Sequence, residues 1–340
     1  LLGSGIKGEP RLEYRKIINK INSFKNILSV DLPSGFLTNT SVIPTQTITF
    51  HDLKTGMNEK TCGEIFVLDI GITGDIDESC GPGELELFPK FNSNKHKGQN
   101  GKVAIIGGGE YAGAPALAGM GAYRAGVDLV HVFVPSNHYQ QVSAFVPELI
   151  VHSLKGDFVT SDIVTSLSLH DFDSIVIGPG MGKKPESIDA VAKVILNFDN
   201  LVIDADAISR YNFCKKNVLL TPHKGELNNL GVKTDKEQLM KFSLESEATL
   251  LFKGKIDYIT NGSNFKKNYT GHPRLAVGGT GDLLAGICGG LMGRGLTAFE
   301  AARLGSYVIG LAGEICFEEN GSGFLPSELA LCVSKIFGKI

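Results

Sequence analysis

The stretch AVGGTGDLLAGI (residues 276–287) combines three glycines with one carboxylate at the start of a segment expected to be helical. A helix begins with unpaired backbone N–H groups and a positive dipole end, and Gly278, Gly279 and Gly281 let an anion approach them without a Cβ in the way. Asp282 suits the task of taking or orienting the proton of a hydroxyl that attacks a phosphate. The alternative is that Asp282 is only a helix cap beside a glycine turn.

Four other polar or glycine-rich motifs stand where predicted strands end. Any one of them can be an ordinary loop, but four in sequence order before GGTGD are hard to obtain by chance. Because ligands of open α/β sheets bind beyond the carboxyl ends of the strands, the motifs predict one shared site. They are GPGMG (178–182), VIDADAIS (202–209), LLTPHKGEL (219–227) and LLFKGKIDYIT (250–260).

Short β-branched runs between glycine-rich loops provide the elements that must position these motifs. Such runs are typical of parallel strands buried on both faces, and helix-like segments separate several of them. The alternation of strand, loop and helix predicts an α/β fold. The predicted strands are Ile27–Val30, Val103–Ile106, Leu129–Val134, Ile175–Ile177, Leu201–Ile203 and Val218–Leu220.

A polar stretch with Gly and Pro but no sustained period, residues 73–97, suggests a boundary between domains. We therefore predict a partial domain over 1–76, a linker over 77–95 and a complete domain over 96–340. The chain opens on Leu1-Leu2-Gly3 without a Met, and we expect further sequence upstream of it.

Length, composition and charge favour some classes of protein and argue against others. A length of 340 residues with 42% hydrophobic and 20% charged residues is typical of a globular protein of about two domains. A net charge of −3 argues against nucleic acid or an anionic membrane as partner, and no segment predicts a membrane span. The cysteines have neither metal-ligand nor redox spacing, so we expect reduced thiols in the cytoplasm. They stand at positions 62, 80, 214, 288, 316 and 332.

From about residue 96 onward the chain resembles the ADP/ATP-dependent NAD(P)H-hydrate dehydratases. The shared motifs span nearly the whole domain in the same order, so the resemblance is specific. It implies a ribokinase-like αβα sandwich with a mostly parallel central sheet. It also implies that ADP or ATP phosphorylates the ring hydroxyl of hydrated NADH or NADPH with Mg²⁺, and that phosphate elimination restores the coenzyme. The motifs are HKGQNGKVAIIGGGEYAGAPALAG, IGPGMG, DADAIS, LTPHKGE, FKGKIDYIT and GGTGDLLAGI.

The resemblance also implies roles for individual residues. Asp282 becomes the base, and Gly279, Thr280 and Gly281 form the anion hole for the transferred phosphoryl group. Glu226 is expected to hold water on the Mg²⁺. The nucleotide would contact Lys253, Gly254, Lys255, Ile256, Asp257 and Gly281, and the hydrated coenzyme would contact Ala114, Gly182, His223 and Asp282.

The first 75 residues contain the motifs LLGSGIKGE, SVDLPSG, TITFHDLKTG and CGEIFVLDIGI. With these motifs they resemble the second half of an NAD(P)H-hydrate epimerase domain of Rossmann-like α/β type. Without the resemblance, SVDLPSG is a strand-to-turn corner. With it, Ser34 is expected to help hold a K⁺. The hydrated coenzyme would contact Gly3, Ser4, Gly5, Ile6, Lys7, Gly8, Glu9 and Asp31.

Two rival functions stay open at this point. A small-alcohol kinase of the same fold would carry GGTGD as well, although 96–119 and 219–227 favour the dehydratase. A non-catalytic nucleotide-binding regulator would not need Asp282. The chain has no Walker A motif, so P-loop chemistry is disfavoured. We further expect a homo-oligomer, and we expect residues 1–340 alone to dehydrate the hydrate but not to epimerise it.

Overall fold

The structure, a computed structural model, describes residues 3, 8–91, 94, 96–211, 213 and 217–338. The chain divides into two compact units, Leu1–Asp77 and Glu78–Ile340. Each unit has its own sheet, and each is treated by itself below.

The first unit is built on a three-stranded parallel sheet of order β1-β2-β3. Its register sets Val30 beside Ile48 and Ile48 beside Phe66. Its elements are α1 Leu12–Ile21, β1 Leu28–Val30, β2 Gln46–Phe50, α2 Glu59–Cys62, β3 Glu64–Leu68 and α3 Gly74–Asp77.

The second unit is built on a nine-stranded sheet of order β12-β11-β10-β9-β8-β7-β4-β5-β6. Neighbouring strands run parallel except that β11 is antiparallel to both β10 and β12. The strands are β4 Lys102–Ile106, β5 Leu129–Pro135, β6 Ile150–Leu154, β7 Ser174–Ile177, β8 Asn200–Ile203, β9 Asn217–Leu220, β10 Thr249–Phe252, β11 Asp257–Thr260 and β12 Phe265–Asn268.

Helices cover both faces of this sheet. Within the described ranges, none of them combines the length and apolarity needed to cross a bilayer. The helices are α4 Gly113–Arg124, α5 Tyr139–Phe145, α6 Ser161–Thr165, α7 Pro185–Asn197, α8 Lys224–Asn229, α9 Lys236–Ser246, α10 Thr280–Gly293, α11 Ala298–Asn320 and α12 Pro326–Phe337, with short 3₁₀ turns at Pro82–Leu87, Leu169–Asp171, Ala205–Ala207, Pro273–Ala276 and Gly321–Gly323.

Alternate residues of the central strands feed two separate apolar cores, because successive side chains of a strand point to opposite faces. Val103 and Ile105 lie in the core with α4, α10, α11 and α12. Ala104 and Ile106 lie in the other core, with α7 and α9. This confirms the αβα sandwich. The predicted strands are confirmed to within one residue at each end.

Residues 78–91 of the predicted 77–95 linker belong to the second unit, because the unit boundary falls between Asp77 and Glu78. The ring of Phe88 stacks on Phe337 with centroids 4.2 Å apart. The carboxylate of Glu84, which is 4% exposed, pairs with Arg303 at 2.8 Å. Apolar stacking and a buried ion pair therefore hold this polar stretch on the unit.

Helix α10 packs on α4 at unusually close range. A Cβ added at Gly286 would lie 1.8 Å from the carbonyl oxygen of Ala118, and one at Gly121 would lie 2.2 Å from that of Leu283. Backbone contact of this kind requires glycine at both positions. It fixes the start of α10, where Asp282 lies.

Candidate functional site

The motif loops follow neighbouring parallel strands, and backbone hydrogen bonds join each loop to the next. Gly108 N–H donates to Pro179 O at 2.9 Å, and Lys253 N–H donates to Pro222 O at 2.8 Å. Between them, Asp204 N–H donates to Ile177 O at 3.0 Å. The structure thus brings the predicted motifs to one edge of the sheet, as expected for carboxyl ends of parallel strands.

A buried ion pair forms the centre of this edge. The Nζ of Lys253 lies 2.8 Å from Oδ1 of Asp204, and the side chains are 19% and 2% exposed. The hydroxyl of Thr221 donates to the same carboxylate oxygen at 2.6 Å. Burial by itself would lower the pKa of Lys253, but the carboxylates of Asp204, Glu226 and Asp282 together outweigh it, and the pKa is raised. Lys253 is therefore held charged at the site.

Asp282 lies in the first turn of α10 beside this pair. The pKa of its carboxyl group is raised to about 7, chiefly by burial and further by the charges of Asp204 and Glu226, while Lys253 opposes them. A carboxylate with a pKa near neutrality is suited to accept a proton at physiological pH.

Replacing Asp282 with Asn should make the protein more stable above neutral pH. A carboxyl group whose pKa is about 7 when folded and ordinary when unfolded is protonated in both states at low pH. As the pH rises from about 4 to about 7, the unfolded chain ionises first, so the folded state loses stability until the cost levels off above pH 7. We expect Asp282→Asn to gain up to about 4 kcal/mol in unfolding free energy at pH 8, since the pKa is raised by about three units, each worth about 1.4 kcal/mol.

Urea unfolding of the variant and the wild type at pH 8 and pH 5.5 tests this. The gain should shrink to about half at pH 5.5. An Asn variant less stable than the wild type at pH 8 would contradict the raised pKa.

The glycine turn before Asp282 has the geometry of an anion site. Gly279 adopts φ +98° and caps α10, a conformation that favours glycine. The hydroxyl of Thr280 is buried and, among the described residues, has no hydrogen-bond partner. A Cβ at Gly281 would lie 3.2 Å from Nζ of Lys253, so the ammonium lies against the first turn of the helix. Together these donors and the helix dipole favour a negatively charged group.

The segment after β10 is shaped by the carboxylate of Asp257. Its Oδ1 accepts from Gly254 N–H at 2.9 Å, and its Oδ2 accepts from the Ser306 hydroxyl at 2.7 Å. Burial raises the pKa of Asp257. Lys255 is exposed and Ile256 is half-buried. Asp257 therefore braces the loop, while its neighbours are open to a ligand.

The histidine predicted to contact substrate also caps α8. Nδ1 of His223 accepts from the N–H groups of Gly225 and Glu226, at 2.9 and 3.2 Å. Oε2 of Glu226 accepts from His223 N–H at 2.8 Å, which completes a capping box. The His223 side chain is 60% exposed, so its ring still faces solvent. Burial raises the pKa of Glu226.

The remaining predicted contacts lie at the adjoining loops. Ala114 is half-buried in the first turn of α4. Gly182 adopts φ +75°, and a Cβ there would lie 2.8 Å from Oε2 of Glu110. Ala114 and the buried Gly182 thus lie beside the GPGMG loop, and Gly182 carries no side chain between that loop and Glu110.

The predicted epimerase loop is only partly described. Ser4, Gly5, Ile6 and Lys7 lie outside the described residues. Gly3 and Gly8 are exposed, and Gly8 adopts φ +79°. Oε1 of Glu9 accepts from Asn39 N–H at 2.7 Å.

Asp31 is a strained residue at the end of β1. Its φ of +64° is in the left-handed region that non-glycine residues rarely adopt. Its carboxylate pairs with Nζ of Lys54 at 2.7 Å, and that ammonium also donates to the Thr49 hydroxyl at 2.8 Å. Ser34 lies half-buried in the turn that follows, and its carbonyl accepts from Val42 N–H.

Sequence reasoning assigned no role to Asp204, Thr221 or Lys54. The signals were present, because VIDADAIS ends a strand in two acids, LLTPHKGEL contains Thr221, and TITFHDLKTG contains Lys54. What was missing was the pairing of each with a residue elsewhere in the chain.

Two family models match the chain. The model described as NAD(P)H-hydrate dehydratase matches residues 103–335. The model described as YjeF-related protein N-terminus matches residues 1–56.

Relatives match almost the whole chain. The bifunctional NAD(P)H-hydrate repair enzyme Nnr of Archaeoglobus fulgidus is 35% identical, over 98% of this chain and 73% of the relative. The protein of the same name from Methanothermobacter thermautotrophicus is 34% identical, over 97% of this chain and 69% of the relative.

Solved structures match about three quarters of the chain. The ADP/ATP-dependent NAD(P)H-hydrate dehydratase of Bacillus subtilis, co-crystallised with ATP/Mg²⁺, superposes with a TM-score of 0.68 at 25% identity, over 75% of this chain and 95% of that one. A ribokinase-like superfamily protein of Enterococcus faecalis gives 0.69 at 23% identity, over 76% and 94%, which shows the fold. The chain therefore belongs to the bifunctional NAD(P)H-hydrate repair enzymes, with an NAD(P)H-hydrate dehydratase region after a YjeF-related N-terminal region.

Proposed function

We propose that the second unit dehydrates the S form of hydrated NADH or NADPH, with ADP or ATP as phosphoryl donor. The observation that carries the proposal is the carboxylate of Asp282, with a pKa of about 7, beside the glycine turn and the Lys253 ammonium. A base and a phosphate-binding turn at one helix start are the parts that phosphoryl transfer to a hydroxyl requires.

In the proposed reaction, Asp282 accepts the proton of the ring hydroxyl while the hydroxyl oxygen attacks the terminal phosphorus of the nucleotide. The new O–P bond forms as the bond to the leaving nucleotide breaks. The C–O bond of the phosphorylated ring then breaks, phosphate leaves and a neighbouring ring proton is lost. The sum converts hydrated coenzyme and nucleotide into reduced coenzyme, shortened nucleotide, hydrogen phosphate and one released proton.

We assign the phosphoryl group to the turn at Gly279, Thr280 and Gly281, whose N–H groups stabilise the charge that develops on it. The nucleotide would lie on the loop from Lys253 to Asp257. The ammonium of Lys253 adds a fixed positive charge there. The hydrated ring would lie near Ala114, Gly182 and His223, across the same edge of the sheet.

Mg²⁺ on the nucleotide fits this site through Glu226. The described residues hold no group of three or more His, Cys, Asp or Glu side chains able to bind a metal. Mg²⁺ needs no such group, because nucleotide phosphates and water supply most of its ligands. The Glu226 carboxylate is 16% exposed and is the one we propose to hold a metal-bound water. The ion would supply charge neutralisation of the phosphates.

The test is to mix the protein with the S hydrate, Mg²⁺ and either ADP or ATP, and to follow the return of reduced-nicotinamide absorbance. Samples without nucleotide and samples with the R hydrate are the controls. Release of shortened nucleotide without reduced coenzyme would point to a small-alcohol kinase instead. Binding of nucleotide with no turnover of any substrate would point to a regulator.

Replacing Gly281 with Val should weaken nucleotide binding much more than folding. The new side chain would meet Nζ of Lys253, the movable end of a side chain, so the fold can adjust. It would also block approach of a phosphate to the helix start. We expect nucleotide affinity to fall tenfold or more, the equivalent of one lost charge-assisted contact of about 1.5 kcal/mol.

Calorimetric titration with ATP and a thermal melt measure the two effects. Gly323→Val is the matched control, because nothing lies within 4 Å of a Cβ there. If Gly281→Val bound ATP normally but melted far below this control, the glycine would be structural.

For the first unit we propose a part in the epimerase activity that interconverts the R and S hydrates, with Asp31 in contact with substrate. Residues 1–340 alone are still expected to dehydrate the S hydrate without interconverting the two forms. The strained backbone of Asp31 and its pairing with Lys54 support a functional role. K⁺ near Ser34 is proposed from the family resemblance. The whole chain is proposed to form a homo-oligomer, which light scattering would contradict by returning the monomer mass. The described cysteines are free thiols, which supports the proposed cytoplasmic location.

A further inference from the structure

The ammonium group of Lys253 interacts electrostatically with three carboxylates at the site. Asp204, Glu226 and Asp282 all act on the charge of Lys253. Of these described groups, the one that makes an ion pair with its Nζ is Asp204, at 2.8 Å. The same Nζ lies 3.2 Å from the Cβ position of Gly281, the residue before Asp282. The choice of partner therefore decides whether the proposed base is left unpaired.

Asp204 is fixed from several directions, which explains why it holds the ammonium. Its carboxylate accepts from the Thr221 hydroxyl at 2.6 Å, and its N–H donates to Ile177 O. Ala205, the next residue, adopts φ +52°, a strained conformation that the surrounding structure must hold in place. Lys253 is fixed in turn through its backbone bond to Pro222, beside Thr221.

We propose that Asp204 is a positioning residue that holds the Lys253 ammonium away from Asp282, so that the Asp282 carboxylate stays free to take the substrate's proton. This inference rests on the proposed role of Asp282 as base. It adds a residue that acts on the reaction without touching the substrate.

The charges facing Asp282 predict in which direction its pKa should change when Asp204 is replaced. They are Asp204 and Glu226, which raise its pKa after burial has done so, and Lys253, which lowers it. Loss of the Asp204 charge removes one negative neighbour and releases the ammonium toward Asp282. Both changes lower the pKa of Asp282. A base made weaker in this way also transfers the proton more slowly.

The experiment compares Asp204→Asn with Asp206→Asn across a pH series of kcat/KM for the dehydration reaction. Asp206 belongs to the same motif but pairs with Lys183 at 3.7 Å. We expect the acid limb of the Asp204→Asn profile to move about one pH unit downward, with a lower plateau. Asp206→Asn should keep the wild-type limb. An Asp204→Asn limb at or above the wild-type pH overturns the inference, since mere structural damage lowers the plateau without moving the limb.

A second measurement tests the inference without relying on enzyme activity, so it also applies to inactive variants. Carbon-13 carboxyl titration of the protein reports the pKa of Asp282 directly, with Asp282→Asn identifying its signal. The titration is repeated in the Lys253→Met background, which has no ammonium to release. Asp204→Asn should lower the pKa of Asp282 more in the wild-type background than in the Lys253→Met background, and an equal or smaller effect overturns the inference. If Asp204→Asn does not fold, Thr221→Val, which removes the hydroxyl that fixes Asp204, is compared in the same two backgrounds. A wild type that does not dehydrate the hydrate overturns the proposed function instead, and this titration still tests Asp204.

Discussion

The Asp282→Asn variant should bind ATP or ADP like the wild type and turn over about 10²–10⁴-fold more slowly, the range typical of a removed positioned base. The amide keeps the volume of the carboxyl group but cannot take the proton of the ring hydroxyl. Nucleotide affinity should survive because the glycine turn and Lys253 remain in place.

Single-turnover rates with the S hydrate measure the loss, and calorimetric titration with ATP checks the affinity. Asp206→Asn is the matched control, since it removes a carboxylate of the adjoining loop that pairs with Lys183. Full activity of the Asp282→Asn variant would remove the residue from the mechanism. Loss of both turnover and ATP binding would mean that the carboxylate shapes the nucleotide site.

The wild-type rate should also depend on pH in a way that the Asn variant does not. Because the pKa of Asp282 is about 7, the fraction of free base falls as the pH drops through neutrality. The same burial that makes the base effective costs folding stability above pH 7, so the site trades stability for reactivity.

The centre of the fold was predictable because its strands are buried on both faces. Runs such as Val103–Ile106 and Leu201–Ile203 are apolar without interruption, as expected for parallel strands between helical layers. The edge strands β6 and β12 were not predicted. Their sequences IVHSL and FKKN carry polar residues on partly exposed faces, which hides the strand signal.

The candidate site was likewise predictable in part: the position of its loops could be predicted, but the pairing of its side chains could not. That the loops meet at one edge followed from the parallel order of the strands. Which acid of VIDADAIS matters did not, because Asp204 is buried and pairs with Lys253, 49 residues away, while Asp206 pairs with Lys183. Sequence spacing carries no information on such a pairing, because it depends on the order in which β8, β9 and β10 lie in the sheet.

The structure of the stretch 78–91 also could not be predicted from local sequence. It is polar and contains Gly and Pro, the composition of a linker. Its partners, Arg303 for Glu84 and Phe337 for Phe88, are more than two hundred residues further along the chain. The packing of this stretch on the second unit depends on tertiary contacts, which a local sequence pattern cannot predict.

Replacing Gly286 with Ala should strongly destabilise the second unit. The added carbon would lie 1.8 Å from the carbonyl oxygen of Ala118 and 2.6 Å from its carbonyl carbon, both backbone atoms of α4. No rotamer change relieves such a contact, so α10 must move away from α4. The usual gain in helix propensity from Gly to Ala, about 1 kcal/mol, is outweighed. We expect a loss of about 3 kcal/mol and a fall in melting temperature of roughly 6–10 °C.

The control is Gly113→Ala on α4, where nothing lies within 4 Å of the new Cβ and stability should stay level or rise slightly. Because Gly286 lies one turn after Asp282 on α10, the displaced helix should also carry the carboxylate out of line with Lys253. Turnover should therefore fall at temperatures where the variant is still folded. A Gly286→Ala protein as stable and as active as Gly113→Ala would show that α10 is not positioned by backbone contact with α4, and the close packing would lose its role in setting the site.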